Sequence, residues 1–449
     1  MQTASWSDIT SARYGAPAAL FTLGIALHAF NAFIVSTTMP SAALEFEAVS
    51  LLSWATSAYL VASIAGGAAA ATLKARFGSR AVLMASSVTF MAGTLSFGFA
   101  QDAGFLIVGR LLQGGGGGIV MACCYMLIPV MFPKALVPRI FALESIAWVL
   151  AALAAPAIAG AVTEYASWRT AVLMSVPASL AFVAFVPFCV AAHERGDAAS
   201  GALPLRQLAL VSTGVLLLSA SVSALAVVGG LVVIAASVYL DARSNVRLLP
   251  ASAFDAASPV SAGLLVVFAM CLAEASTVVY VAYAGQALWS LGVIESGFLA
   301  AVVAITWSLT AIGVAHMPRL STWVHVVPAP LVLAFGLALF AGALVTGSLI
   351  AAVLSQILIG GSFGFSWARL CEHIMEVTPE QERDFAAGAI PTIQFAGLSI
   401  GAALWGTAAA WFGLEAHQAA GDLVAALVPV FGSASLLAAV ATVTARRAA

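Results

Sequence analysis

Long apolar segments follow one another along the whole chain, separated by short polar stretches. A helix that crosses a bilayer needs about 20 predominantly apolar residues. The runs of this kind cover residues 17–39, 51–73, 81–100, 105–129, 140–163, 170–192, 208–240, 259–284, 291–315, 326–346, 349–368, 385–412 and 423–444. Of the 449 residues, 62% are hydrophobic and 8% are charged, whereas a soluble protein carries about 25% charged residues. The sequence therefore predicts an all-α integral membrane protein.

One of these runs is too long for a single helix. Residues 208–240 would form a helix of about 50 Å, whereas the hydrocarbon core is about 30 Å thick. We predict two short spans joined near Ser223, which gives about fourteen transmembrane helices; one long span is the alternative. With fourteen spans and both termini in the cytoplasm, 15 of the 17 lysine and arginine residues fall on the cytoplasmic side, as the positive-inside rule requires.

Charge and composition indicate where the protein is located and which classes of function are disfavoured. The first apolar run is expected to be a retained span, and the chain a multi-pass protein of the cell inner membrane. The net charge of −2 offers no basic surface to nucleic acid. The five cysteines lack metal-ligand spacing and the six histidines are scattered. We therefore predict no metal, no cofactor and no enzymatic activity. A channel is disfavoured because no filter loop is evident.

An internal repeat emerges when the chain is displaced by 246 residues against itself. The segment GRLLQGGGGGIVMA, from Gly109, then lies over SQILIGGSFGFSWA, from Ser355. Arg110 falls on Gln356. Parallel six-helix repeats are one architecture of secondary transporters. We predict a six-helix bundle over residues 1–192, a linker with two inserted transmembrane helices over 193–258, and a second six-helix bundle over 259–449.

The five glycines from Gly114 to Gly118 do not form a phosphate-binding loop. Such a loop needs Gly-Lys-Ser/Thr after the glycines, and here Ile119 follows. A flexible linker at membrane depth would leave backbone groups unpaired, at several kcal/mol each. A glycine row in a membrane helix instead lets a neighbouring backbone approach closely. We predict close helix packing at this row.

Four motifs, in their order along the chain, resemble the major facilitator superfamily, specifically its fourteen-span branch of drug/proton antiporters. LKARFGSR, from Leu73, is similar to the motif of the loop between spans two and three. GRLLQGGGGG matches the Arg-x-x-Gln-Gly motif of span four, and AAPAIAG echoes the Gly-Pro motif of span five. SWRTAVLMSVP, from Ser167, is similar to a Trp-Arg motif at span six. Two positions depart from the family: Ala75 replaces the loop aspartate, and Asn31 stands where the first span often carries an acid.

The resemblance implies a secondary transporter that works by alternating access. Its solute is predicted to be a small amphipathic or ring-containing organic compound, carried by a monomer in the lipid bilayer with protons as a candidate coupling ion. Two directions stay open. One is export of drugs or metabolites, and the alternative is uptake of a nutrient or vitamin such as riboflavin.

Ionisable residues at membrane depth are functional candidates because they are costly to place there. Arg110 is predicted to hold an anionic or polar part of the substrate together with Gln113, one turn further along the helix. The alternative role of Arg110 is a structural hydrogen bond to neighbouring helices. Glu274, midway along its span, is the candidate for both proton coupling and substrate binding; the alternative is pairing with a structural donor.

Further substrate-binding candidates are polar or aromatic. His28 and Asn31 are one turn apart on the first span and can face the same cavity. Planar solutes stack on aromatic side chains, although the same residues also fill cores. The remaining candidates of these two kinds are Gln356, Gln394, Trp307 and Trp367. Lys74, Arg76 and Arg80 of the loop motif, and Glu144 near the cytoplasmic end of span five, are predicted to act in gating.

Overall fold

The structure, a computed structural model, describes residues 9, 11, 13–133, 136–191, 204–220, 223–315, 321–414 and 419–448. Within these residues the secondary structure consists of sixteen α-helices and two short 3-10 helices. The α-helices are α1 Gly15–Glu45, α2 Leu51–Phe77, α3 Ser79–Gly98, α4 Ala103–Met131, α5 Val137–Tyr165, α6 Trp168–Leu173, α7 Ser175–Cys189, α8 Leu205–Ala220, α9 Ala224–Arg243, α10 Pro259–Trp289, α11 Val293–Ala315, α12 Thr322–Val326, α13 Pro328–Thr346, α14 Leu349–Val377, α15 Arg383–Trp411 and α16 Ala420–Ala448. The all-α fold class is confirmed.

Thirteen helical segments of the described chain are long and apolar enough to cross a membrane. Helices α6 and α7 together form one of them, and α12 and α13 form another. Helix α8, with 16 residues, is a shorter apolar helix. With α8 the number reaches the expected fourteen, and the protein is a multi-pass membrane protein.

The long run 208–240 is divided as the sequence predicts. Helix α8 ends at Ala220 and α9 begins at Ala224. Ser223 is the N-cap of α9, and its hydroxyl accepts a hydrogen bond from the backbone N–H of Ala226 at 3.2 Å. Serine is favoured at this position because it satisfies one of the unpaired N–H groups at a helix start.

The chain divides into two compact units. Unit 1 comprises Met1–Thr38 and Ala62–Leu203, and unit 2 comprises Met39–Val61 and Pro204–Ala449. Phe21 of α1, Leu83 of α3, Leu127 of α4 and Phe182 of α7 are fully buried together in the core of unit 1. In unit 2 the most enclosed span is α10, which packs against α11, α15 and α16. The predicted domain boundaries, 1–192, 193–258 and 259–449, stay a prediction.

The glycine row of α4 packs against two helices, as predicted. A Cβ atom added at Gly116 would lie 2.5 Å from the backbone N of Phe90 on α3. A Cβ at Gly118 would collide with the carbonyl group of Ser63 on α2, and one at Gly66 of α2 would collide with the carbonyl oxygen of Gly115. The row therefore serves as a smooth surface on which α2 and α3 approach backbone to backbone.

Unit 2 repeats this arrangement at the positions that the 246-residue displacement predicts. A Cβ at Gly336 of α13 would lie 3.1 Å from the carbonyl oxygen of Ser355 on α14. Cβ atoms at Gly360 and Gly364 of α14 would collide with the backbone of α11 at Val303 and Trp307. Helix α14 thus contacts α13 and α11 as α4 contacts α3 and α2.

The inserted pair α8 and α9 is fixed inside unit 2. The two helices cross at Gly214 and Gly230, where an added Cβ on either glycine would come within 2.9 Å of the other carbonyl oxygen. The hydroxyl of Thr407 on α15 donates to the carbonyl of Leu218 at 2.6 Å. The buried carboxylate of Asp241 accepts from two backbone N–H groups that follow α9. The insertion is therefore packed against the second unit rather than loosely tethered.

Outward-facing side chains of the helices are apolar. Leu436, Val440 and Val443 of α16 are between 61% and 70% exposed and lie three and four residues apart, on one face. Leu225, Val228 and Val232 of α9 are exposed in the same way. Such faces would be unstable in water, and they are what a hydrocarbon solvent requires.

Candidate functional site

A buried network of polar side chains lies between three helices of unit 1. Arg110 of α4 donates from Nη1 to Oε1 of Gln113 at 2.8 Å. Nε2 of Gln113 donates to Oγ1 of Thr94 on α3 at 3.0 Å and to Oδ1 of Asn31 on α1 at 3.3 Å. The exposed fraction of these four residues is at most 4%. We name these four residues the Asn31–Arg110 network.

Local sequence explains why these side chains meet. Arg110 and Gln113 are one turn apart on the same helix, so their side chains are neighbours. Thr94 is brought to Gln113 by the adjacent Gly93, because a Cβ there would lie 2.5 Å from the backbone N of Gln113. Gly93 and Gly109 let α3 and α4 approach closely enough for the hydroxyl of Thr94 to contact the side chain of Gln113. Helix packing by glycine and the polar network are thus parts of one arrangement.

The network fixes the orientation of both amides. A guanidinium group only donates hydrogen bonds, so Gln113 must turn its oxygen towards Arg110. The NH₂ group of Gln113 then faces Asn31, which can accept a hydrogen bond only through the oxygen of its side chain. Nδ2 of Asn31 is left pointing away, buried, and without a hydrogen-bond partner in the described part of the chain. The network therefore ends in one buried donor that is not satisfied.

Aromatic rings border the network. The imidazole of His28 lies 5.9 Å from the ring of Trp148 on α5 in an edge-on arrangement, and Phe33 lies 6.2 Å from the same ring. The guanidinium carbon of Arg110 is 6.0 Å from the ring centroid of Phe97, at the outer limit of a cation–π contact. His28 and Asn31 therefore lie in the same buried region of unit 1, as their spacing predicts.

An apolar cavity of about 280 Å³ opens beside α1 in the same unit. Helices α1, α5, α6 and α7 line it, together with Met174 between α6 and α7, and Ser175 is its one polar lining residue. The α1 contribution includes Leu27 and Ile34, which lie one turn before and one turn after Asn31. Asn31 and the α1 residues that line the cavity therefore lie along the same stretch of this helix.

Unit 2 holds a second polar residue with an unsatisfied atom. Gln356 of α14 is fully buried, and its Nε2 donates to the hydroxyl of Ser355 at 3.0 Å. Its Oε1 accepts no hydrogen bond from any described residue. Gln356 is the repeat partner of Arg110, so both units place a polar side chain at this position of the glycine-rich helix.

Three aromatic side chains cluster between α11 and α14. The ring of Trp307 stacks on Phe363 at 4.8 Å and meets the edge of Trp367 at 5.4 Å. The close approach of α11 at Gly360 and Gly364 brings these rings together. The structure thus unites the predicted Trp307 and Trp367 and adds Phe363, which the sequence analysis does not identify.

The remaining predicted residues of unit 2 lie apart from that cluster along the chain. Glu274, midway along α10, is 7% exposed. Gln394 of α15 is half-buried. Helix α15 is bound to α10 by the indole of Trp405, which donates to the carbonyl of Leu272 at 2.7 Å. Glu274 is therefore held on the most enclosed span of its unit.

The predicted gating residues occupy helix ends. Lys74 and Arg76 lie in the last turn of α2, and Arg80 follows in the first turn of α3, with Gly78 between them at φ 84°. Glu144 of α5 is buried, and the hydroxyl of Tyr125 on α4 hydrogen-bonds its carboxyl group. Arg110 and Tyr125 are separated by about 22 Å along α4. Glu144 therefore does not join the Asn31–Arg110 network.

Thr94 and Tyr125 are not predicted from the sequence. The signal for Thr94 is weak: a hydroxyl next to a glycine that faces another glycine helix. Tyr125 shows no signal of its own, because its partner Glu144 lies on a different helix. Both belong to contacts between helices, which a single sequence does not specify.

Comparison with known proteins identifies the family. The family model described as Major Facilitator Superfamily matches residues 21–402, most of the chain. The chain belongs to the Major Facilitator Superfamily. The predicted resemblance is confirmed, and as a member of the Major Facilitator Superfamily the chain is a transporter and not an enzyme.

Relatives in the superfamily include proteins named for efflux. The chain is 29% identical over 468 aligned positions to a probable multidrug-efflux transporter of Mycobacterium tuberculosis, covering 100% of this chain and 97% of that protein. A shorter match, 28% identical, links 38% of this chain to 30% of an efflux pump of Dothistroma septosporum.

Solved structures of the superfamily share the fold. A bacterial homologue of the human lysosomal transporter Spinster superposes with a TM-score of 0.72 at 11% identity, covering 98% of this chain and 97% of that one. The xylose transporter of E. coli superposes with a TM-score of 0.65 at 16% identity, covering 96% and 97%. At these identities the likeness concerns the fold alone.

Proposed function

We propose that this transporter exports small amphipathic organic compounds from the cytoplasm by alternating access. The observation that carries the proposal is the similarity to the mycobacterial efflux protein along essentially the whole of both chains. The buried network, the aromatic rings and the apolar cavity of unit 1 suit a solute with an apolar body and a polar group. The relatives described above give no support to uptake of riboflavin.

Binding of the solute is assigned to the polar and aromatic residues of both units. In unit 1 these are His28, Asn31, Arg110 and Gln113, and in unit 2 they are Gln356, Gln394, Trp307, Trp367 and Glu274. The assignment is supported by the burial of the polar residues other than Gln394, since polar side chains are retained at membrane depth mainly where they have a task. Lys74, Arg76, Arg80 and Glu144 are proposed to act in gating at the cytoplasmic side.

Transport in membrane vesicles of both orientations tests the direction. Inside-out vesicles expose the cytoplasmic face, so an exporter accumulates solute in them when a proton gradient is imposed. We expect accumulation of a planar fluorescent dye in inside-out vesicles and none above the empty-vector level in right-side-out vesicles. Accumulation only in right-side-out vesicles would contradict export.

Proton coupling is assigned to Glu274. A carboxyl group on an enclosed span can carry one proton per cycle, and glutamine keeps its shape without the exchangeable proton. We expect Glu274→Gln to abolish the pH dependence of dye transport, measured from pH 5.5 to pH 8.5, about 1.5 units on either side of neutrality, where carboxyl groups of functional sites titrate. The control is Glu295→Gln, an exposed carboxyl in the first turn of α11 in the same unit, which should keep the pH dependence. An unchanged pH profile in Glu274→Gln would remove this residue from coupling.

A further inference from the structure

The side-chain nitrogen of Asn31 is a buried donor that is not satisfied within the described residues. The side chain is 1% exposed, its Oδ1 accepts from Gln113, and its Nδ2 has no acceptor among the described residues. Leaving a buried N–H group unpaired costs free energy that a hydrogen bond would recover. Such a group in a folded protein needs an explanation, and a partner that is bound only part of the time is one.

The identity of the unpaired atom does not depend on a free choice of amide orientation. If the Asn31 amide were turned over, its NH₂ group would face the NH₂ group of Gln113. Turning Gln113 as well would set NH₂ against the guanidinium of Arg110, which has no acceptor. Because the guanidinium of Arg110 at one end of the network only donates hydrogen bonds, Asn31 at the other end presents a donor and not an acceptor.

We infer that Asn31 donates a hydrogen bond to an acceptor oxygen of the transported solute, such as a carbonyl or carboxylate oxygen. The inference rests on the proposed function and specifies its substrate class: a largely apolar compound that carries an acceptor group. A quaternary or aromatic cation without such an oxygen gains nothing from this donor.

The surroundings of Asn31 provide a space for the apolar part of the solute. Leu27 and Ile34, on either side of it along α1, line the cavity of about 280 Å³. Apart from Ser175 the lining is apolar, so the cavity offers too few partners to hold ordered water. In the proposed arrangement the apolar body of the solute occupies this space, and its acceptor oxygen bonds Asn31, which is buried one turn from both lining residues.

Equilibrium binding to the purified full-length protein tests the inference with two planar dyes. Acridone is a neutral tricyclic ring with a carbonyl oxygen, and ethidium is a planar cation without one. We expect Asn31→Leu and Asn31→Asp to weaken acridone binding about tenfold, the loss expected for one hydrogen bond, and to leave ethidium binding no weaker. Asn31→Asp keeps the acceptor for Gln113, so it separates the lost donor from damage to the network.

A matched control is available on the same helix. Thr22 also carries a polar atom without a described partner, and it lies nine residues before Asn31, about 14 Å along α1. Thr22→Val should leave the affinity of both dyes unchanged. Unchanged acridone binding in both Asn31 variants, or an equal loss of both dyes, would overturn the inference and leave export intact. A wild-type protein that neither binds nor transports either dye would overturn the proposed function itself.

Discussion

At the scale of single residues, the site depends on which polar group donates a hydrogen bond to which acceptor. Arg110 and Gln113 could be predicted as neighbours, because residues three apart share a helix face. Asn31 could be proposed as polar and buried, but not its free nitrogen. That property follows from contacts that join three helices, and the sequence alone does not reveal it.

Gln113 is expected to be the most sensitive member of the network. Gln113→Leu removes three hydrogen bonds, one each to Arg110, Thr94 and Asn31, whereas Gln356→Leu removes one. Two of the three bonds, those to Thr94 and Asn31, join different helices. Hydrogen bonds between membrane helices contribute about 0.6 kcal/mol each on average, so Gln113→Leu should cost about 1 kcal/mol. Thermal unfolding in detergent should show a clearly larger loss for Gln113→Leu, and equal losses would contradict the network.

At the scale of helices, the glycine row shows how far a pattern can predict packing. The five glycines indicate close contact, and the 246-residue repeat indicates that α14 makes the same contact. Neither pattern shows which glycine faces which helix. That assignment depends on the rotation of α4 about its axis, which is set by α2 and α3 together.

The repeat gives a paired prediction for alanine substitutions. Gly118→Ala and Gly364→Ala place a Cβ against the backbone of the facing helix, which cannot move aside. Gly115→Ala places its Cβ in open space, and Gly361→Ala meets only Thr310 at 3.8 Å. Overpacking costs about 1–3 kcal/mol, so the first two variants should unfold at lower temperature and the last two should match the wild type. A uniform response of all four would contradict the assigned faces.

At the scale of the whole molecule, the distribution of lysine and arginine residues predicts a fourteen-span topology, and the observed helices permit it. Dividing residues 208–240 into α8 and α9 keeps every later basic loop on the cytoplasmic side. The structure confirms the division at Ser223. The side of the membrane on which each loop lies follows from the distribution of arginine and lysine, and it stays a prediction.

Cysteine labelling from one side of the membrane tests this topology. Single cysteines in place of Ser244, after α9, and Glu164, at the end of α5, should react with an impermeant reagent from opposite sides. Ser244→Cys is expected to react from the cytoplasm and Glu164→Cys from outside. The parent chain, with its five native cysteines, provides the background to subtract. Reaction of both positions from the same side would exclude the fourteen-span arrangement.

The shortness of α8 has a consequence for the lipid around it. Its 16 residues extend about 24 Å, several ångströms less than an average hydrocarbon core of about 30 Å. Because α8 is packed against α9 and α15, we expect the adjacent bilayer to thin so that it meets the ends of this helix. Lipids with shorter acyl chains should therefore gather along this edge, and transport is expected to depend on membrane thickness.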